Sequence, residues 1–164
     1  MLGGARSGKS AFAEQVAREC GEPILYVATA TAVDEEMAER IARHQGQRPP
    51  TWRTLEVPIG VSERVGAARA DAATVLVEDL TLMLSNLMAA DQADAEARAE
   101  QELSDLLGLP AHVILVSNEV GMGVVPPYPL GRVFRDALGR LNQSAARRCA
   151  EAYLLVAGVP LRLK

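Results

Sequence analysis

The run Gly3-Gly4-Ala5-Arg6-Ser7-Gly8-Lys9-Ser10 is a complete GxxxxGK[ST] pattern that leads directly into a helix-period segment. Few local patterns restrict a fold so tightly. Glycines let a backbone wrap closely around a phosphate, and the N-terminus of the following helix points unpaired N–H groups at it. The pattern asks for an α/β chain in which a buried strand delivers the loop to the first helix. Lys9 is placed to reach the outer phosphates of a nucleotide, and the Ser10 hydroxyl to ligate Mg²⁺. Only Met1 and Leu2 precede the loop, so the first strand reads as truncated. A chain extended upstream by an apolar segment is expected to be more stable, since an inner strand pairs on both sides.

Apolar runs alternate with helix-period segments along the rest of the chain, the pattern of a mostly parallel sheet flanked by helices. Residues 10–19 read as a helix ended by Gly21, and 24–28 (ILYVA) as a buried strand. A capping box at Thr31 and Asp34 opens a helix over 35–45, which Pro49 and Pro50 end before a short strand at 52–57. A strand at 74–77 runs into Glu78 and Asp79, followed by a helix over 80–88. The Ala/Asp-rich stretch 89–95 reads as a surface connection within one domain, leading to a helix over 96–107. A strand at 112–117 and a long helix over 130–150 follow. Residues 153–157 and 161–164 read as a terminal hairpin about Gly158-Val159-Pro160.

Composition removes several function classes. At 164 residues, with 49% hydrophobic and 23% charged, the chain suits one domain with a single core. No apolar run approaches the roughly 18 residues of a membrane helix, and residues 1–10 lack the apolar centre of a secretory signal. The cytoplasm is the expected compartment. A net charge of −4 and 4% aromatics argue against a nucleic-acid-coating protein or a stacking platform for single strands. Cys20 and Cys149 form no CxxC pair and read as small hydrophobes; with His44 and His112 they give no zinc-site spacing.

Thr74-Val75-Leu76-Val77-Glu78-Asp79 is an apolar strand ending in carboxylates, the arrangement that holds Mg²⁺ or its water opposite a phosphate loop. Carboxylates after strands are also common turn residues. The upstream loop makes these two the metal side of a site. His44, in Arg40-Ile41-Ala42-Arg43-His44-Gln45, has two readings. It is either a surface histidine favoured by a helix C-terminal dipole, or a nucleophile toward phosphorus with arginines offsetting phosphate charge. Taken alone, its position favours the first. His112 reads as a core or strand-end histidine. The segment 118–126 (NEVGMGVVP) follows a strand, where loops line the ligand crevice of open α/β sheets, although an ordinary glycine-containing loop fits as well.

Several segments occur in a telling order: GGARSGKS, Tyr26-Val27-Ala28-Thr29-Ala30, RIARHQ leading to Arg48-Pro49, Trp52-Arg53-Thr54-Leu55-Glu56, SNEVGMGVVP, Phe134-Arg135-Asp136 and Leu141-Asn142-Gln143. They resemble the bifunctional adenosylcobinamide kinase/adenosylcobinamide-phosphate guanylyltransferase family of cobalamin synthesis, over nearly the whole chain. The resemblance implies a RecA-like P-loop NTPase fold, a homotrimer, GTP and ATP as substrates, and Mg²⁺. It implies phosphorylation of the aminopropanol hydroxyl of adenosylcobinamide, then GMP transfer from GTP to give adenosylcobinamide-GDP. By residue, it puts the guanylylated histidine at His44 and catalytic charge at Lys9. Nucleotide contacts fall on Gly3, Gly4, Ala5, Arg6, Ser7, Gly8, Lys9, Ser10, Ala28, Thr29, Ala30, Gln45, Gly46, Gln47, Arg48, Glu56 and Glu78. Asp79 stands where the family leads one to expect a small or thiol residue, so Ser10, Glu78 and Asp79 share the expected metal.

Two other readings compete. One is a single-reaction P-loop kinase for another small alcohol, with His44 a bystander. The other is a nucleotide-dependent switch or RecA-like DNA-binding ATPase. The chain has no NKxD-type guanine reader, and its acidic balance opposes DNA binding. Guanine preference, corrinoid contacts and trimerisation rest on the resemblance alone.

Overall fold

The structure, a computed structural model, describes residues 1–32, 35–47 and 49–164; within 35–47 it describes the side chains of 35, 38, 39, 41, 42, 45 and 46. One parallel sheet has the order β3-β2-β4-β5, formed by β2 (Ile24–Ala28), β3 (Arg53–Glu56), β4 (Thr74–Glu78) and β5 (His112–Leu115). A second has the order β6-β1-β7-β8, in which β1 (Leu2–Gly3), β6 (Ser117–Asn118) and β7 (Tyr153–Val156) run parallel. Its edge strand β8 (Val159–Arg162) is antiparallel to β7.

The run 112–117, expected as one strand, is shared between the two sheets. Val116 N–H donates to Val77 O at 3.0 Å, whereas Ser117 N–H turns to Met1 O at 2.9 Å. The chain thereby passes from the side of β4 to the side of β1, and the sheets meet along it. Leu2 and Gly3 do form a strand, paired on both sides: Leu2 with Ser117 and Leu154, Gly3 with Asn118 and Leu155.

Helices α1 (Lys9–Cys20), α2 (Glu35–Gln47), α3 (Val61–Ala68), α4 (Leu80–Ala90), α5 (Ala95–Leu107) and α6 (Pro129–Arg148) connect the strands. Alternation along β2 and β4 divides the apolar side chains between two faces. Leu25, Val27, Val75 and Val77 pack in the larger core with α3, α4, α5 and α6. Tyr26, Ala28 and Leu76 pack with Ala13 and Ala17 of α1 and with Trp52. Such two-sided burial is why both strands read as unbroken apolar runs.

The terminal hairpin differs from expectation. The hairpin turn is Ala157-Gly158, with φ +52° and +80°, and Val159 and Pro160 belong to β8. A two-residue turn with both φ positive matches the twist of the strands it joins, and Pro160 is tolerated because β8 is an edge. Asp34 of the expected capping box lies outside the described residues. Cys20 and Cys149 are free, partly buried thiols packed against the two cores. Among the described residues, no helix is long and apolar enough to cross a membrane.

Candidate active site

The phosphate loop forms where β1 hands over to α1. Gly3 has no room for a side chain: a Cβ there would lie 2.4 Å from Ser7 Oγ and 2.8 Å from Leu155 O. Gly8, at φ +93°, is the residue before the helix and offers no capping side chain. The first N–H groups of α1 are therefore left for a ligand in the loop. Gly158 N–H donates to Ser7 O at 2.9 Å, and a Cβ on Gly8 would come within 3.1 Å of Gly158 Cα, so the terminal hairpin supports the loop from behind. Gly4, Ala5 and Arg6 form its exposed crest. Lys9 is buried and arcs back, its Nζ donating to Gly4 O at 3.2 Å.

The carboxylates lie opposite, at the end of β4. Ser10 Oγ donates to Glu78 Oε1 at 2.5 Å, while the buried Glu78 Oε2 has no hydrogen-bond partner among the described residues. Burial pushes the Glu78 carboxyl up to about 7; the Ser10 hydrogen bond opposes this, neighbouring Asp79 reinforces it and Lys9 opposes it. Asp79 caps α4, its Oδ1 accepting from Leu82 N–H at 2.8 Å. Burial raises its carboxyl too, against the pull of the Leu82 N–H and Lys9. The Glu78–Asp79 peptide is cis. Thr29 brackets it: the Thr29 hydroxyl lies 3.1 Å from Glu78 O and 2.8 Å from Asp79 O, and Asp79 N–H donates to it at 2.8 Å.

A cleft of about 440 Å³ joins these parts. Lys9 and Ser10 line one wall, Glu78 and Asp79 another, with Ala28 ending β2 and Ala30 just beyond it, Glu56 ending β3, and Asn118 ending β6. All are at the carboxyl ends of parallel strands, where open α/β sheets bind ligands. Ile41 of α2 also lines the cleft, one helical turn before His44. Gln45 Nε2 donates to Glu56 Oε1 and ties the end of α2 to this rim. The His44 and Gln47 side chains and Arg48 lie outside the described residues; Gly46 is exposed on the same helix. Thr29 is fully buried and acts on the carboxylates through the backbone rather than lining the cleft. His112 is exposed at the start of β5, in register with Thr74 at the opposite end of β4 from Glu78. A second cavity, of about 490 Å³, is lined by His112 and Cys149 and touches none of residues 3–10.

Thr81, Leu82 and Tyr26 belong to the site's surroundings but were not named as site residues from the sequence, whereas Asn118 opens the segment 118–126 read there as a crevice loop. The signal for Asn118 resembles that for Glu78: a polar residue ending an apolar strand run. Among the described residues no three His, Cys, Asp or Glu side chains converge on a point. Mg²⁺ typically takes one or two carboxylates and completes its shell with phosphate and water. The oxygens of Ser10, Glu78 and Asp79 fit that habit, and the unpartnered buried Oε2 of Glu78 is an acceptor suited to a cation.

With this geometry in view, residues 1–163 match the family described as cobinamide kinase/cobinamide phosphate guanyltransferase, CobU. The chain belongs to this family. It is 45% identical over 165 residues to the bifunctional adenosylcobalamin biosynthesis protein CobP of Pseudomonas aeruginosa, covering all of this chain and 95% of that one. It is 39% identical over 178 residues to proteins of the same description, named CobU, from Salmonella typhimurium and Escherichia coli, covering all of this chain and 98% of each. As a family member the protein is a nucleotide-using kinase and guanylyltransferase, in an α/β fold of parallel strands flanked by helices with an antiparallel terminal hairpin.

Proposed function

We propose that the protein phosphorylates adenosylcobinamide with GTP or ATP and then transfers GMP from GTP to the product, through a covalent guanylyl group on His44. The observation that carries this is the single cleft bordered by the phosphate loop, the Glu78–Asp79 pair and the helix bearing His44.

In the first reaction the substrate hydroxyl attacks the γ-phosphorus and the nucleoside diphosphate leaves. Lys9 and the N–H groups at the start of α1 hold the phosphates, so that catalysis is largely positioning and charge neutralisation. In the second, a neutral imidazole nitrogen of His44 attacks the α-phosphorus of GTP, a P–N bond forms and pyrophosphate leaves. The phosphate of adenosylcobinamide phosphate then displaces His44 from that phosphorus and forms the new pyrophosphate linkage. Ser10, Glu78 and Asp79 would hold Mg²⁺, which when bound neutralises triphosphate charge. The two reactions need one clamped triphosphate and differ in which phosphorus meets the nucleophile.

The same reading takes the protein to be a cytoplasmic homotrimer. Exposed apolar side chains at Met122, Val124, Val125, Tyr128 and Leu130 support contact between copies.

The test is incubation with α-labelled GTP and Mg²⁺. Wild type should acquire an acid-labile, alkali-stable label, and uptake should fall as pH drops through the ordinary histidine range. His44→Asn should keep GTP binding and some kinase activity while losing the label and GMP transfer. Label on His44→Asn, or none on wild type, leaves the single-reaction kinase as the better account.

A further inference from the structure

Asn118 has no role in the two reactions as written, yet it stands where the halves of the site meet. It ends β6, which pairs with the phosphate-loop strand β1, and it follows β5, which pairs with the carboxylate strand β4. Its amide Nδ2 lies 3.3 Å from Asp79 Oδ2 and 3.0 Å from Thr81 Oγ1. Its backbone N–H donates to the same Thr81 hydroxyl at 2.8 Å. Its carbonyl accepts from Asn142 Nδ2 at 3.0 Å, and Asn142 Oδ1 in turn accepts from Ser117 Oγ at 2.7 Å. Asn142 and Ser117 are only 5% and 2% exposed, so this anchor is well fixed. Three elements, β6, α4 and α6, thus converge on one residue, α4 on its side-chain amide and α6 on its carbonyl.

We propose that Asn118 is a positioning residue whose amide sets the orientation of the Asp79 carboxylate in the cleft, with Thr81 and Asn142 holding it in place. The proposal deepens the reading of Glu78 and Asp79 as the metal side of the site and rests on it. With Oδ1 held by the Leu82 N–H, the second contact at Oδ2 fixes the carboxylate plane. Without it, the carboxylate keeps only its hydrogen bonds to Thr81 and Leu82 at the start of α4, and Oδ2 loses its tie to β6. Groups that orient a metal-binding side chain typically contribute about 10- to 100-fold in metal affinity or activity.

The experiment compares wild type with Asn118→Ala, the isosteric Asn118→Asp, Thr81→Val and Thr81→Ser. Mn²⁺ binding to the enzyme–GTP complex is followed by electron paramagnetic resonance. GTP affinity is measured without metal, and kcat with saturating GTP. Both Asn118 variants should weaken Mn²⁺ binding and lower kcat by about 10- to 100-fold. Metal-free GTP affinity should stay within about threefold, because phosphate contacts position the nucleotide independently. Thr81→Val should follow Asn118→Ala, and Thr81→Ser, which keeps the hydroxyl, should stay close to wild type. A folded Asn118→Ala with wild-type Mn²⁺ affinity and kcat overturns the proposal. An equal loss of metal-free GTP affinity also overturns it, because Asn118 is then a nucleotide contact. Wild type that binds GTP but no Mn²⁺ overturns both this proposal and the metal-side reading.

Discussion

At the scale of single residues, the described part of the site sets one buried cation, Lys9, against two buried carboxyls. Under the proposed function Lys9 acts on the phosphates as a charge at short range, so Lys9→Ala should lower phosphoryl transfer by on the order of 10²-fold or more. Far-ultraviolet circular dichroism should be unchanged, and near-wild-type turnover by that folded variant would remove Lys9 from the site. Glu78 supplies a pH test. Its carboxyl binds a proton more tightly in the folded chain than in the unfolded one. The resulting stabilisation is present below the ordinary carboxylate range and is lost as pH rises through about 7. Without nucleotide, wild type should therefore fall behind Glu78→Gln in stability between about pH 5 and pH 8, by at most about 3 kcal/mol. Urea midpoints that keep a constant gap between the two proteins across that range would contradict the assignment. The same residues show what a sequence can disclose. Lys9, Ser10, Glu78 and Asp79 were legible as neighbours in one cleft because each stands at a fixed spacing from a strand end or loop. Thr29 was legible as a position but not as a role, because its work is done on a peptide about 50 residues further along.

At the scale of elements, legibility followed how much of an element's stability is written into its own residues. β2 and β4, buried on both faces, are unbroken apolar runs, and their bounds came out within a residue. α3 was not read at all. It is 8 residues long, buries only Val61 and Val65, and begins at Gly60 with no side-chain cap. Its cap comes from α5 instead: the Glu102 carboxylate, 9% exposed, accepts from Val61 N–H at 3.2 Å and from Ser62 N–H at 2.5 Å. No local pattern can announce a partner 41 positions away. Glu102→Ala should thus cost about 1–3 kcal/mol, since it strands buried N–H groups, while leaving kcat untouched. The terminal hairpin is the contrasting case, because its turn touches the phosphate loop. Gly158→Val, with a β-branched residue forced to φ +80°, should lower both the melting midpoint and GTP affinity. Should the two variants lose stability and GTP affinity in the same proportion, the division between a remote cap and a loop support would be wrong.

At the scale of the whole molecule, two separate apolar surfaces face outward, apart from the cleft. One follows β6, where Met122 is 78% and Val124 is 94% exposed; the other is the edge strand β8 and its end, with Val159, Leu161 and Leu163 each more than half exposed. An exposed apolar edge strand, even one of four residues, offers unpaired backbone groups and apolar area to a partner. A twofold dimer needs one self-complementary patch, whereas a closed ring needs two different patches that meet head to tail. Two distinct patches on one chain suit a ring, the closed form that the proposed homotrimer requires. Sedimentation should give three times the 17.5 kDa chain mass. Val124→Asp and Leu161→Asp should each yield monomers, because each destroys one half of every contact. The decisive step is mixing them. Each variant retains the patch that the other lacks, so one intact contact can form per pair, and the mixture should sediment as a dimer that cannot close. Monomers from the mixture would mean that the two surfaces do not meet, and a wild-type monomer would remove the ring altogether.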